Sequence, residues 1–63
     1  MNPITKRILE RVSMKGKRIM PKYEFRHEMT RIRLRSEDMA YLMREMQKEG
    51  VIRIKRRNVE LLK

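Results

Sequence analysis

At Gly50 the spacing of apolar residues changes from helical to alternating. Before it, Met39, Leu42, Met43 and Met46 stand at i, i+3, i+4 and i+7, the stripe of a helix with one buried face. After it, Ile52 and Ile54 alternate with Arg53 and Lys55, the period of a half-buried strand. A helix stopped by glycine and followed directly by a strand requires helices packed against a small piece of sheet. Val59 to Leu62 is again apolar and partly β-branched, so the end of the chain reads as a β-hairpin. Its tip is expected at Arg56, Arg57 and Asn58, where asparagine tolerates left-handed geometry.

Upstream, Asn2 followed by Pro3 signals a helix start, because the Asn side chain can cap free amides and Pro suits the first helical position. Ile4, Ile8 and Val12, widened by Leu9, give that helix its apolar stripe, and Gly16 offers a stop near Lys15. Lys17 to Met20 reads as a short connection, and Pro21 is placed to open a second helix carrying Phe25, Met29 and Ile32 on one face with Tyr23 at its edge. Arg31 to Arg35 alternates Arg with Ile32 and Leu34, which fits either an extended segment or the frayed end of helix two. Ser36 is the expected cap of helix three, with Glu37 and Asp38 in the first turn where the helix dipole favours negative charge.

A chain of 63 residues is read as one domain, 1–63, with a small core, since a domain this size buries only about 60% of its unfolded surface. Its net charge of +10 comes from 18 Lys and Arg against 8 Asp and Glu, a density that opposes compaction and calls for a polyanionic partner. Eleven of the cations are Arg, whose planar fork matches phosphate and guanine edges. The absence of Cys excludes disulfides and Cys-based zinc sites, and a lone His27 has no ligand set beside it, so neither metal nor cofactor is expected. No Ser, His and acid constellation suggests an enzyme. No apolar run is long enough for a membrane span and the first residues lack a signal-peptide core, which points to the cell interior. Few Asn and Gln lean towards a thermophilic host, and seven oxidation-prone Met lean away from one.

Three helices followed by a basic hairpin resemble the winged helix-turn-helix family over essentially the whole chain. The stretch from Met39 to Ile52, MAYLMREMQKEGVI, looks like the end of that family's recognition helix running into its first wing strand. The resemblance implies a mainly α fold with a small β-hairpin. It makes Lys22 to Met29 the supporting helix, Ser36 to Glu49 the recognition helix and Arg53 to Asn58 the wing. It further implies that Ser36, Tyr41, Arg44 and Lys48 face base edges in the major groove, and that Arg53, Lys55, Arg56 and Arg57 meet phosphates or the minor groove. Segment charges depart from this pattern: +5 over residues 1–20, +3 over 21–35, −2 over 36–50 and +4 over 51–63. Acids at the start of the supposed reading helix repel phosphates, which shifts weight to the wing and to Arg31, Arg33 and Arg35.

The function these readings favour is double-stranded DNA binding by a small, non-catalytic transcriptional regulator, associated with the nucleoid, with limited base reading. Two Tyr and one Phe make a poor stacking platform for single strands. An RNA-binding or ribosome-associated protein and a protein-interaction adaptor docking through the acidic helix are the alternatives. Glu24 and Glu28, one turn apart, are expected to pair with nearby cations such as Arg31. A homodimer, if formed, is expected through helix one at Ile4, Ile8 and Leu9.

Overall fold

The computed structural model describes residues 2–62. Three helices and a three-stranded antiparallel sheet follow one another as α1 (Pro3–Ser13), β1 (Ile19–Pro21), α2 (Lys22–Arg31), α3 (Ser36–Lys48), β2 (Ile52–Ile54) and β3 (Asn58–Leu61). In the sheet the strand order is β1-β3-β2, so the last strand lies in the middle.

Helix α1 starts as its sequence predicts. The Asn2 side chain accepts a hydrogen bond from the Thr5 amide at 2.9 Å, and the Thr5 hydroxyl donates back to the Asn2 carbonyl at 2.9 Å. That reciprocal pair satisfies polar groups that allow Thr5 to be buried, and Thr5, Ile8 and Val12 form the inward stripe. Ile4, expected on that stripe, is instead 46% exposed. Ile8 lies wholly in the chain's own core, so it is not available to a second copy, and Ile4 and the half-buried Leu9 are what remain of the expected dimer face. After Met14 the chain turns back, with Gly16 at φ 72° and its amide donating to the Ser13 carbonyl.

Residues 19–21 form a strand where a plain connection was expected. Met20 pairs with Val59 and Pro21 with Asn58. Pro21 lacks an N–H, which an edge strand tolerates, and three residues ending in Pro carry no alternation to announce a strand. The strand runs straight into α2, whose Phe25 and Met29 are buried. This helix continues past Met29 to end at Arg31.

The 31–35 segment is neither extended nor frayed. The Arg33 amide donates to the Thr30 carbonyl at 2.8 Å and the Leu34 amide to the Met29 carbonyl at 3.3 Å, a Schellman pair that places Arg33 at φ 64°. Ile32 and Leu34 return to the core, as expected of them. After the turn, Arg35 is extended, at φ −81° and ψ 159°, before α3 begins. It is the residue at the cap, and no side-chain hydrogen bond closes that end. Ser36, expected as the cap, is therefore drawn into the helix as its first residue. Glu37 and Asp38 lie in the first turn, favourably placed for the dipole.

Helix α3 buries Met39, Leu42, Met43 and Met46 and ends in a second Schellman pair, Gly50 to Gln47 at 3.0 Å and Val51 to Met46 at 3.1 Å, with Gly50 at φ 77°. The hairpin pairs Ile52 with Leu61 and Ile54 with Val59. Its turn is closed by the Lys55 amide donating to the Asn58 carbonyl at 2.8 Å, so Asn58 opens β3 and contributes a carbonyl there, in place of the left-handed tip residue expected. The core contains five methionines, Met20, Met29, Met39, Met43 and Met46, around Phe25, Ile8, Val12, Val51, Ile52, Val59 and Leu61.

Met46 is fully buried where α3 meets the hairpin. Met46→Ala is expected to lose about 2–5 kcal/mol, a large share of the stability of a domain this small. Urea denaturation measures it, and a loss under about 1 kcal/mol would mean that the neighbouring methionines close the void.

Candidate nucleic-acid interface

Where the carboxylates sit decides which cations are left unneutralised. Glu28 points from α2 towards the end of α1 and is only 7% exposed. Lys15 Nζ lies 3.3 Å from one of its oxygens, Arg11 Nε 3.3 Å from the other and Arg31 Nε 4.0 Å away. The Arg11 Nε is buried without an aligned hydrogen bond, so it contributes as a nearby charge. Glu24 adds Lys17 at 3.2 Å and Lys15 at 3.8 Å. Both acids pair with nearby cations as expected, but Arg31 reaches only Glu28, at the longest distance in a network held mainly by α1 and the turn after it. Burial pushes the Glu28 carboxyl up, but the Lys15 hydrogen bond and the charges of Lys15, Arg11 and Arg31 outweigh it and hold the carboxyl below its ordinary range.

Other acids act on smaller sets. Glu60, in the central strand, lies 3.6 Å from Arg53 and 3.5 Å from Lys55 on the neighbouring strand side. Glu45 pairs with Lys48 at 3.7 Å, and Glu37 with Arg35 at 3.8 Å, the latter two so exposed that the pair is worth little. Among the described residues, no carboxylate lies within 4.0 Å of Lys6, Arg7, Arg18, Lys22, Arg26, Arg33, Arg44, Arg56 or Arg57.

Three of these acid-free cations come together from distant parts of the chain, and the backbone of a fourth is bonded beside them. Lys22 and Arg26 of α2 and Arg44 of α3 line one shallow cleft of about 290 Å³, with Ala40, Met43 and Ile54 beside them. The hairpin tip is fastened to the same place, because the Lys22 amide donates to the Arg57 carbonyl at 2.9 Å. On the other side, Gln47 of α3 accepts from the Ile54 amide at 2.7 Å and ties the hairpin to the helix. The Arg57 backbone, with Arg56 before it in the chain, is therefore held next to Lys22 at the start of α2, one of the residues that line the cleft.

The residues that the sequence points to are divided by this arrangement. Arg44, Arg56 and Arg57 belong to the cluster. Tyr41 is 56% exposed and precedes Arg44 by one helical turn. Arg53, Lys55 and Lys48 are exposed but share their charge with Glu60 and Glu45. Ser36 is exposed at the opposite end of α3 from Lys48. Arg31 ends α2 and Arg33 and Arg35 follow it, at the far end of a helix of ten residues and hence about 15 Å long. Lys22 and Arg26 are additions that the sequence reading does not contain. Their i, i+4 spacing at the border of the stripe formed by Phe25 and Met29 is the signal that could have found them.

No group of three or more His, Cys, Asp and Glu able to hold a metal occurs among the described residues, and His27 lies exposed on the outer face of α2. No described helix is long and apolar enough to cross a membrane. No protein-family model, curated protein or solved structure matches the chain.

The lowered pKa of Glu28 fixes the sign of one pH effect. The stabilisation it provides is complete above the unfolded carboxyl value of about 4.3 and is lost as pH falls through the lower native value. Glu28→Gln is expected to lower Tm at neutral pH and to flatten the fall of Tm between about pH 5 and pH 2. Thermal melts across that range measure it, and parallel curves for the two proteins would remove Glu28 as the source.

Proposed function

We propose that the chain is a duplex-DNA-binding module of the winged helix-turn-helix type, acting by binding and not by catalysis, as a small regulator of transcription would. The observation that carries this reading is the meeting of Lys22, Arg26 and Arg44 at one cleft, with the Arg56 and Arg57 hairpin tip bonded through the Arg57 carbonyl to Lys22, and with no carboxylate within 4.0 Å of these five cations among the described residues. The order of elements supports it too, with a strand between the first two helices and a basic hairpin after the third. In this reading phosphates provide most of the affinity, and the cations of α2 and of the tip hold the backbone. Arg44, with Tyr41 before it, is the side chain of α3 best placed to reach a guanine edge. Glu37 and Asp38 keep the first turn of α3 away from phosphate, so the helix approaches with its middle and not end-on.

The test compares charge removed from two places. Anisotropy titrations of a labelled duplex of about 20 base pairs, at several salt concentrations, are expected to weaken log-linearly with salt. Arg56→Ala with Arg57→Ala should make the slope shallower by up to about 0.9 for each phosphate no longer neutralised. Lys17→Ala, which removes a charge already paired with Glu24, should leave the slope nearly unchanged. No binding at low salt would end the DNA reading, and preference for an RNA duplex of equal length in competition would replace it with an RNA-binding one.

A further inference from the structure

Two helices of this chain end in the same hydrogen-bonded turn, with different residues at the position that must be left-handed. At the end of α3 the position is Gly50, φ 77°, flanked by the bonds Gly50 to Gln47 and Val51 to Met46. At the end of α2 it is Arg33, φ 64°, flanked by Arg33 to Thr30 and Leu34 to Met29. A side chain in this region carries a steric penalty that glycine avoids, which is why glycine dominates there. Arg33 is moreover the only residue other than glycine with positive φ among the described residues. The two hydrogen bonds of the turn and the return of Ile32 and Leu34 to the core hold the backbone there, but none of them uses the Arg33 side chain. Arg33 is exposed, and while Arg31 and Arg35 each have a carboxylate within 4.0 Å, no acid or other hydrogen-bond partner is found for the Arg33 side chain among the described residues.

We propose that Arg33 is a second phosphate contact, held rigidly by the α2–α3 turn and separate from the cluster at the hairpin tip. The proposal rests on the nucleic-acid reading above and deepens it. A strained residue whose charged head has no internal use is best explained by a use outside the chain, and an unpaired guanidinium in a basic protein fits a phosphate. Position then specifies the ligand. Arg33 follows the last turn of α2 while Arg57 is bonded to its first residue, so the two sites are separated by about the 15 Å length of that helix. That spacing favours a ligand that carries several phosphates along its length. A duplex, with one phosphate on each strand every 3.4 Å or so along the helix axis, spans the distance in about four or five base-pair steps.

Substitution at Arg33 separates strain from phosphate binding. Arg33→Gly should raise Tm by roughly 4 °C or more while lowering the salt slope of duplex binding by about 0.9. Arg33→Lys keeps both the side chain in the strained region and the positive charge, and should retain the melting temperature and slope of the unaltered chain. Lys17→Ala removes the same unit of charge and should change the slope far less. An unchanged slope in Arg33→Gly would overturn the contact, as would an equal change in Lys17→Ala, which would reduce the effect to net charge. A Tm in Arg33→Gly no higher than that of the unaltered chain would overturn the strain. If the unaltered chain binds no duplex, the functional reading itself fails and takes the contact with it, whereas binding with an unaffected Arg33→Gly removes only the contact.

Discussion

Strand β3 has partners on both sides, and almost every other relationship in the molecule passes through it. Val59 sits between Met20 of β1 and Ile54 of β2, so a residue near the end of the chain joins the first loop to the hairpin. Without that pairing, β1 would be three residues with no partner and the hairpin an isolated ribbon, neither stable in water. With it, the Arg57 carbonyl comes to the first amide of α2, and the hairpin tip acquires a fixed position relative to both later helices. Gln47 completes the frame from the side of α3, using its side-chain oxygen to satisfy an amide on the sheet edge. The candidate interface is a consequence of this closure, since Lys22, Arg44 and Arg56 are far apart in the chain.

Charge is partitioned on the same frame. A chain of this size with a net charge of +10 must limit its own repulsion, and it does so unevenly. Glu24 and Glu28 neutralise the C-terminal end of α1 and the turn beyond it, and Glu60 neutralises the stems of the hairpin. Burial of Glu28 makes its network firm, because removing a partner would leave a charge inside the protein. Lys22, Arg26, Arg44, Arg56 and Arg57 are left without a carboxylate within 4.0 Å among the described residues. Repulsion retained at one place, when carboxylates relieve it elsewhere, is what a surface for a polyanion requires.

Local features of the fold are legible in the sequence and distant ones are not. The Asn2 and Pro3 start, the Met39 to Met46 stripe, the Gly50 stop and the alternation from Ile52 are set by neighbours within a few residues, and each is found in place. Strand β1 is hidden because its definition lies in a partner some forty residues away and its own three residues end in proline. The cap of α3 falls one position before Ser36, at Arg35, whose extended backbone leaves Ser36 as the first helical residue. The interface shows the same division. Arginines at the tip and Arg44 can be named from pattern, but the neutralisation of Arg53 and Lys55 by Glu60 depends on cross-strand register, and the contribution of Lys22 and Arg26 depends on how α2 lies against α3.

The central claim is that acid-free cations on α2, α3 and the hairpin tip form one face that meets a nucleic-acid duplex. Amide chemical-shift mapping of the isotope-labelled protein on addition of a DNA duplex tests it residue by residue. The account predicts that the largest changes fall at Lys22, Arg26, Arg44, Arg56 and Arg57, with the Glu28 network on α1 and α2 little affected. Changes centred on α1, or none at low salt, would contradict it.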